Sequence, residues 1–284
     1  MTPLVAVAVL IAAVTHAAWN AIAARVTDQL LSFTLISGGG ALIGGVAACF
    51  TPVPAAGAWP YLLASAVLHI AYYVLLMKSF ALGDFGQMYP IARGTAPLVV
   101  TLLAAVFVGE IPDAAQLAGV AVACAGLTGL ALWGIRGKGT RPHWPALLAA
   151  GATGLSIASY TVVDGLGVRA SGTPLGYIAW LMLCEGLAIP AYALFTRGRT
   201  ALLTDLRPHA AVGLLAAAMS VSAYALVLWA QTKAPLAPIA ALRESSIIVG
   251  AAIGALLFKE RFGGPRVAAA GLMVLGIGLM LYAS

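Results

Sequence analysis

From Pro3 to Ala24 the chain runs without a single charged side chain. An α-helix needs about 20 mostly apolar residues to cross the hydrocarbon core of a bilayer. Nine comparable runs follow, so spans are expected near 3–24, 31–50, 58–80, 88–109, 114–134, 144–165, 174–196, 209–231, 236–258 and 265–283. The breaks carry turn and helix-stop chemistry: Thr51-Pro52-Val53-Pro54, Ile111-Pro112-Asp113, Arg136-Gly137-Lys138-Gly139, Arg197-Gly198-Arg199 and Phe262-Gly263-Gly264-Pro265. Connections this short predict antiparallel neighbours. Barrel strands are excluded, because the runs are too long and lack period-two alternation. Ala21-Ile22-Ala23 mimics a signal-peptide cleavage site. No basic residue precedes the first run, however, so it is read as a retained helix.

Composition explains why these runs belong in lipid. Charged residues make up 8% of the chain and apolar ones 62%, whereas a soluble domain is roughly 25% charged. The expected location is the cell (inner) membrane, with the lipid bilayer as solvent. A net charge of +6 reflects basic loops facing an anionic leaflet and not nucleic-acid binding, since Lys and Arg cluster between the apolar runs. Cys49, Cys124 and Cys184 are isolated within apolar runs, with no metal-ligand or disulfide spacing. No metal and no cofactor are expected.

The chain resembles itself. Met88-Tyr89-Pro90-Ile91-Ala92-Arg93, followed by Phe107-Val108-Gly109-Glu110, is echoed by Pro238-Ile239-Ala240-Ala241-Leu242-Arg243, followed by Leu257-Phe258-Lys259-Glu260. The offset is 150 residues at each marker (93 to 243, 110 to 260, 126 to 276). Five spans per copy is an odd number, so the second copy must enter the membrane upside down. The expected fold is therefore all-α, with ten transmembrane helices as two inverted five-helix repeats, residues 1–135 and 144–284. A solute site would lie near the midplane between them.

At these residues the sequence resembles the EamA family of the drug/metabolite transporter superfamily. The features carrying the resemblance are the blocks ending in Gly109-Glu110 and Lys259-Glu260, each before a Gly-rich closing helix, and the opening block His16-Ala17-Ala18-Trp19-Asn20. Ala158-Ser159-Tyr160-Thr161 is read as the counterpart of that opening block in the sixth span. The resemblance implies a central cavity lined by helices 1, 3, 4, 6, 8 and 9, with helices 2 and 7 peripheral. It also implies cytoplasmic termini. The loops argue otherwise: odd-numbered loops hold ten basic residues and even-numbered ones only Arg169 and Lys233. The positive-inside rule would then place both termini outside.

Charges within spans are the functional candidates, because a charge at bilayer depth costs at least about 2.5–3.5 kcal/mol and needs a partner or water. Arg93 and Arg243 sit about five and seven residues into spans of opposite sense, roughly 8–11 Å below opposite surfaces. They are expected to bracket the midplane as an anion-binding pair, since a guanidinium pairs bidentately with carboxylate or phosphonate; the structural alternative is helix tying. Lys78 is expected to snorkel. Glu244 is the candidate for proton coupling, with His16 and His69 able to titrate near neutrality. Glu185 is expected to make a structural hydrogen bond outside the cavity, and Asp164 to lie at the interface. Trp19, Asn20, Tyr72, Tyr73, Tyr89, Tyr160 and Tyr224 are the expected polar and aromatic wall, suited to amphipathic or ammonium-bearing solutes. Glu110 and Glu260 are expected to anchor the repeats near the N-termini of the helices that follow them. Pro90, Pro97, Pro235 and Pro238 are expected to break the helices beside the arginines.

The function that follows is secondary transport of small metabolites, such as amino acids, organic acids or phosphonates, by alternating access, with export common in the family. The protein is expected to be a monomer or a homodimer. A lipid flippase of the same fold is the alternative. An intramembrane enzyme would need a clustered catalytic motif such as HExxH or GxSxG, and no ATP-binding GxxxxGK[ST] run is present either.

Overall fold

The structure, a computed structural model, describes residues 1–83, 85–94, 96–136 and 144–257, together with helical positions 268–269, 271–272, 274–276 and 278–279. Glu260, expected to anchor the second repeat, lies outside the described residues. The described chain is helical throughout, without strands. The helices are α1 (Pro3–Arg25), α2 (Gln29–Ala48), α3 (Trp59–Leu82), α4 (Phe85–Gly94), α5 (Ala96–Phe107), α6 (Ala114–Arg136) and α7 (Trp144–Ala170). They continue as α8 (Pro174–Gly186), α9 (Ala188–Arg197), α10 (Arg199–Leu206), α11 (Ala210–Gln231), α12 (Leu236–Arg243) and α13 (Ser246–Leu257). Among the described residues, 6 helical runs are long and apolar enough to cross a membrane: α1, α2, α3 with its preceding turn, α7, α8–α9, and α10–α11.

Helix starts follow capping chemistry. Thr2, Asp28 and Thr173 each cap a first turn through a side-chain oxygen, and Pro3 and Pro174 stand where a missing N–H costs nothing. Asp113 and Gln116 close the start of α6 reciprocally: Gln116 N donates to Asp113 Oδ1 at 2.8 Å, and Asp113 N donates to Gln116 Oε1 at 3.2 Å. At the end of α5, Gly109 takes φ +74° and the Glu110 amide donates back to the Ala104 carbonyl at 3.2 Å. Only glycine adopts that left-handed turn without a Cβ penalty. The turn aims Glu110 away from α6.

Among the described residues, two expected spans are broken; the break expected beside Pro97 would fall at position 95, outside them. Pro190 has no N–H to give the Gly186 carbonyl, and α8 gives way to α9 there. Between α12 and α13 the chain tightens instead: Ile247 N donates to Glu244 O at 2.9 Å and Ile248 N to Ser245 O at 3.0 Å. These i→i−3 bonds take the Ile247 amide away from the Arg243 carbonyl. Pro235 and Pro238 cause no break, because they occupy the N-cap and first turn of α12. The sixth span was expected to end at 165, but α7 continues to Ala170 and carries Asp164 and Arg169 inside the helix.

Packing pairs α3 with α7, α1 with α11, and α2 with α8. α4 packs against α13 and α5 against α12. At the α2–α8 contact a Cβ on Gly44 would stand 2.7 Å from the Ala179 carbonyl, so the backbones touch where only glycine fits. The centre is aromatic, with Trp19, Phe33, Tyr72, Tyr73 and Tyr160 in one buried cluster. The outer side of α1 presents Leu4, Val7, Leu10, Ile11 and Val14, all exposed. A helix apolar on its inner and outer faces alike suits lipid.

Candidate functional site

Polar residues gather in four places, three buried and one at the surface. The first is a chamber walled by His16 and Trp19 of α1, His69, Tyr72 and Tyr73 of α3, Tyr160 of α7, Met182 and Glu185 of α8, and Ser220 and Tyr224 of α11. It encloses about 20 Å³, little more than the volume that holds one water. The rings interlock: His69 stacks on Tyr160 at 3.9 Å, and Tyr160 meets Tyr224 edge-on at 5.8 Å. His69 Nδ1 lies 3.0 Å from the Ser65 carbonyl and 3.1 Å from the Ser65 hydroxyl. Glu185 Oε2 is 3.2 Å from the same nitrogen and has no hydrogen bond of its own.

The second place is where α4 and α5 meet α13 and α12. Arg243 ends α12, where a cation is favoured by the helix dipole, and Arg93 lies on α4. Arg93 Nη2 donates to Glu244 Oε1 at 2.8 Å and reaches the freed Arg243 carbonyl at 3.5 Å. Arg243 Nη2 reaches Thr161 Oγ1 at 3.5 Å. All three charged residues are at most 3% exposed. Arg93 Nε and Nη1, Arg243 Nε and Glu244 Oε2 have no hydrogen-bond partner. The sequence reading expected the two arginines to bracket the midplane as an anion-binding pair; in the structure Glu244 sits against Arg93.

Third, Asp164 is fully buried and accepts from two tyrosines, Tyr177 at 2.8 Å and Tyr224. It is not interfacial as expected, because α7 runs past it. Fourth, Glu110 joins three elements at one end of the molecule. Its Oε2 accepts from Leu236 N at 2.6 Å, capping α12, and its Oε1 accepts from Arg169 Nη1 at 3.0 Å. Arg169 also donates to the carbonyls of Gln231 and Ala234, at 2.9 and 3.1 Å. The expected cap on the helix after Glu110 is made by Asp113 instead.

Of the expected wall, His16, Trp19, His69, Tyr72, Tyr73, Tyr160 and Tyr224 line the chamber. Tyr89 stands behind His16, ring to ring at 6.4 Å, and one turn before Arg93. Asn20 bonds back to the His16 carbonyl at 2.9 Å, and its Oδ1 is buried without a partner. Lys78 is exposed. Sequence reading missed Glu185 as a wall residue. The signal was present, an acid in the middle of an apolar run, but the family layout assigned its helix to the periphery.

Residues 144–282 match the EamA-like transporter family, part of the DMT superfamily. One solved crystal structure aligns over 99% of this chain and 96% of its own, with a TM-score of 0.69 and 18% identity. Identity that low shows a shared fold and nothing about substrate. Comparison with curated proteins gave no match.

Proposed function

We propose that the chain is a secondary transporter, in the cell (inner) membrane, that moves a small amphipathic metabolite bearing an anionic group by alternating access. The two inverted repeats, residues 1–135 and 144–284, form the moving halves. Supporting this reading, the packing pairs exchange under a swap of repeats: α3 on α7 becomes α11 on α1, and α4 on α13 becomes α12 on α5. The observation that carries the substrate chemistry is the charge balance where these helices meet. Two buried guanidinium groups face one partner carboxylate, and among the described residues Arg243 reaches a hydroxyl at 3.5 Å while its Nε has no hydrogen-bond partner. A buried charge short of partners is costly, and a solute carboxylate or phosphonate would supply what is missing. Glu244, His16 and His69 remain the coupling candidates, since Glu244 can release Arg93 on taking a proton.

The chamber is far below the roughly 300 Å³ of an ordinary ligand site. A transported solute therefore requires the halves to part. The test is uptake into proteoliposomes across amino acids, organic acids and phosphonates. Arg243→Ala is expected to lower transport of the preferred solute at least about 30-fold, since a truncated charge contact of this kind costs about 2–5 kcal/mol. Full transport by both Arg93→Ala and Arg243→Ala would remove the anion site. Uptake unchanged on collapse of the pH gradient would remove proton coupling.

A further inference from the structure

Glu185 is 2% exposed and lies on the chamber wall, and its Oε2 has no hydrogen-bond partner. The nearest candidate donor, His69 Nδ1 at 3.2 Å, is shared with the Ser65 carbonyl at 3.0 Å and the Ser65 hydroxyl at 3.1 Å. Asp164, the other acid in this region, is already satisfied by its two tyrosines. Around the open oxygen the chamber offers ring surface. Tyr72 meets Tyr160 at 5.6 Å and 76°, and Tyr160 meets Tyr224 at 5.8 Å and 83°. Rings set at right angles form a corner of π-faces. One carboxylate in an aromatic corner is the chemistry that recognises an ammonium group. A hard metal cation would need six or more oxygens, and no three acidic, histidine or cysteine side chains among the described residues converge to hold a metal.

We propose that Glu185, with Tyr72, Tyr160 and Tyr224, is a subsite for the ammonium group of the transported solute. The proposal rests on the transporter reading above and deepens it. Arg93 and Arg243 take the anionic end and Glu185 the cationic end, so the substrate is a molecule carrying both charges. Trp19 shares the chamber wall, which makes intrinsic tryptophan fluorescence a reporter of occupancy.

The purified full-length protein is titrated with methylammonium chloride and 2-phenylethylamine, and in parallel with sodium chloride and sodium 3-phenylpropanoate, following fluorescence and thermal unfolding. The amines are expected to bind and protect. Glu185→Gln is expected to weaken them at least tenfold while leaving 3-phenylpropanoate unchanged, and Glu185→Asp to recover part of the loss. Amine binding unaltered by Glu185→Gln, no amine effect up to 100 mM, or equal protection by sodium would each overturn the subsite. In proteoliposomes the two readings separate. Transport of an anionic solute with no Glu185-dependent preference for amine-bearing analogues defeats the subsite alone. Glu185-dependent amine binding without transport of any solute defeats the transporter reading alone.

Discussion

Arg93 and Glu244 are 2.8 Å apart, and both side chains are 2% exposed. Removing one member of such a pair strands the other in low dielectric, which costs about 3–5 kcal/mol, whereas replacing both by apolar groups is often neutral. Glu244→Gln is therefore expected to lower the unfolding temperature markedly. Arg93→Met combined with Glu244→Leu is expected to recover most of that loss while remaining inactive in transport; thermal unfolding and uptake assays check the two halves. At the loop between α1 and α2 the charges meet water. Asp28 caps α2 and takes two bonds from Arg197, at 2.5 and 2.8 Å. The Arg197 hydrogen bond holds its pKa below the ordinary 3.8. A depressed carboxylate contributes stability that is present above its unfolded pKa and lost as pH falls through the folded value. The stability gap between the native chain and Asp28→Asn should thus be constant from pH 7 to about 5 and close below about pH 4.

At the scale of elements, the described molecule is fastened at one end by Glu110 and Arg169, which tie the α5–α6 turn to α7, to the end of α11 and to the start of α12. Alternating access requires this end to separate from its neighbours. Arg169→Gln is expected to bias the protein toward opening there and to raise the reactivity of a cysteine placed at Ala234, read with a water-soluble maleimide. Glu110→Arg combined with Arg169→Glu is expected to restore only the side-chain pair and not the cap on α12, so reactivity should fall part of the way back. An element break is readable in principle where proline causes it. Pro190 marks the division of α8 from α9, and its lost amide is a local fact. The turn at Glu244–Ser245 has no such marker. It is set by contacts with α4 that no nearest-neighbour rule contains.

At the scale of the whole molecule, the apolar runs and the 150-residue echo made a helical membrane protein with a charged centre legible before any coordinates, as did seven of the residues on the chamber wall. Glu185 and Asp164 were visible as anomalies and misassigned, because helix position and helix length come from tertiary packing. Orientation belongs to this scale. The ratio of basic residues between loop sets predicts that the N-terminus faces outward and that α10, between the α9 and α11 segments, faces the cytoplasm. In a background without Cys49, Cys124 and Cys184, Thr2→Cys should react with an impermeant maleimide on intact cells and Thr204→Cys should not. The reverse pattern would give the topology implied by the family resemblance.

A chamber with room for about one water has a consequence for the host membrane. In this conformation the chamber has no room for a cargo molecule, so under the proposed cycle the resting protein holds nothing between the two sides. A gradient spent through this protein would be spent only when a cargo molecule forces the rings apart.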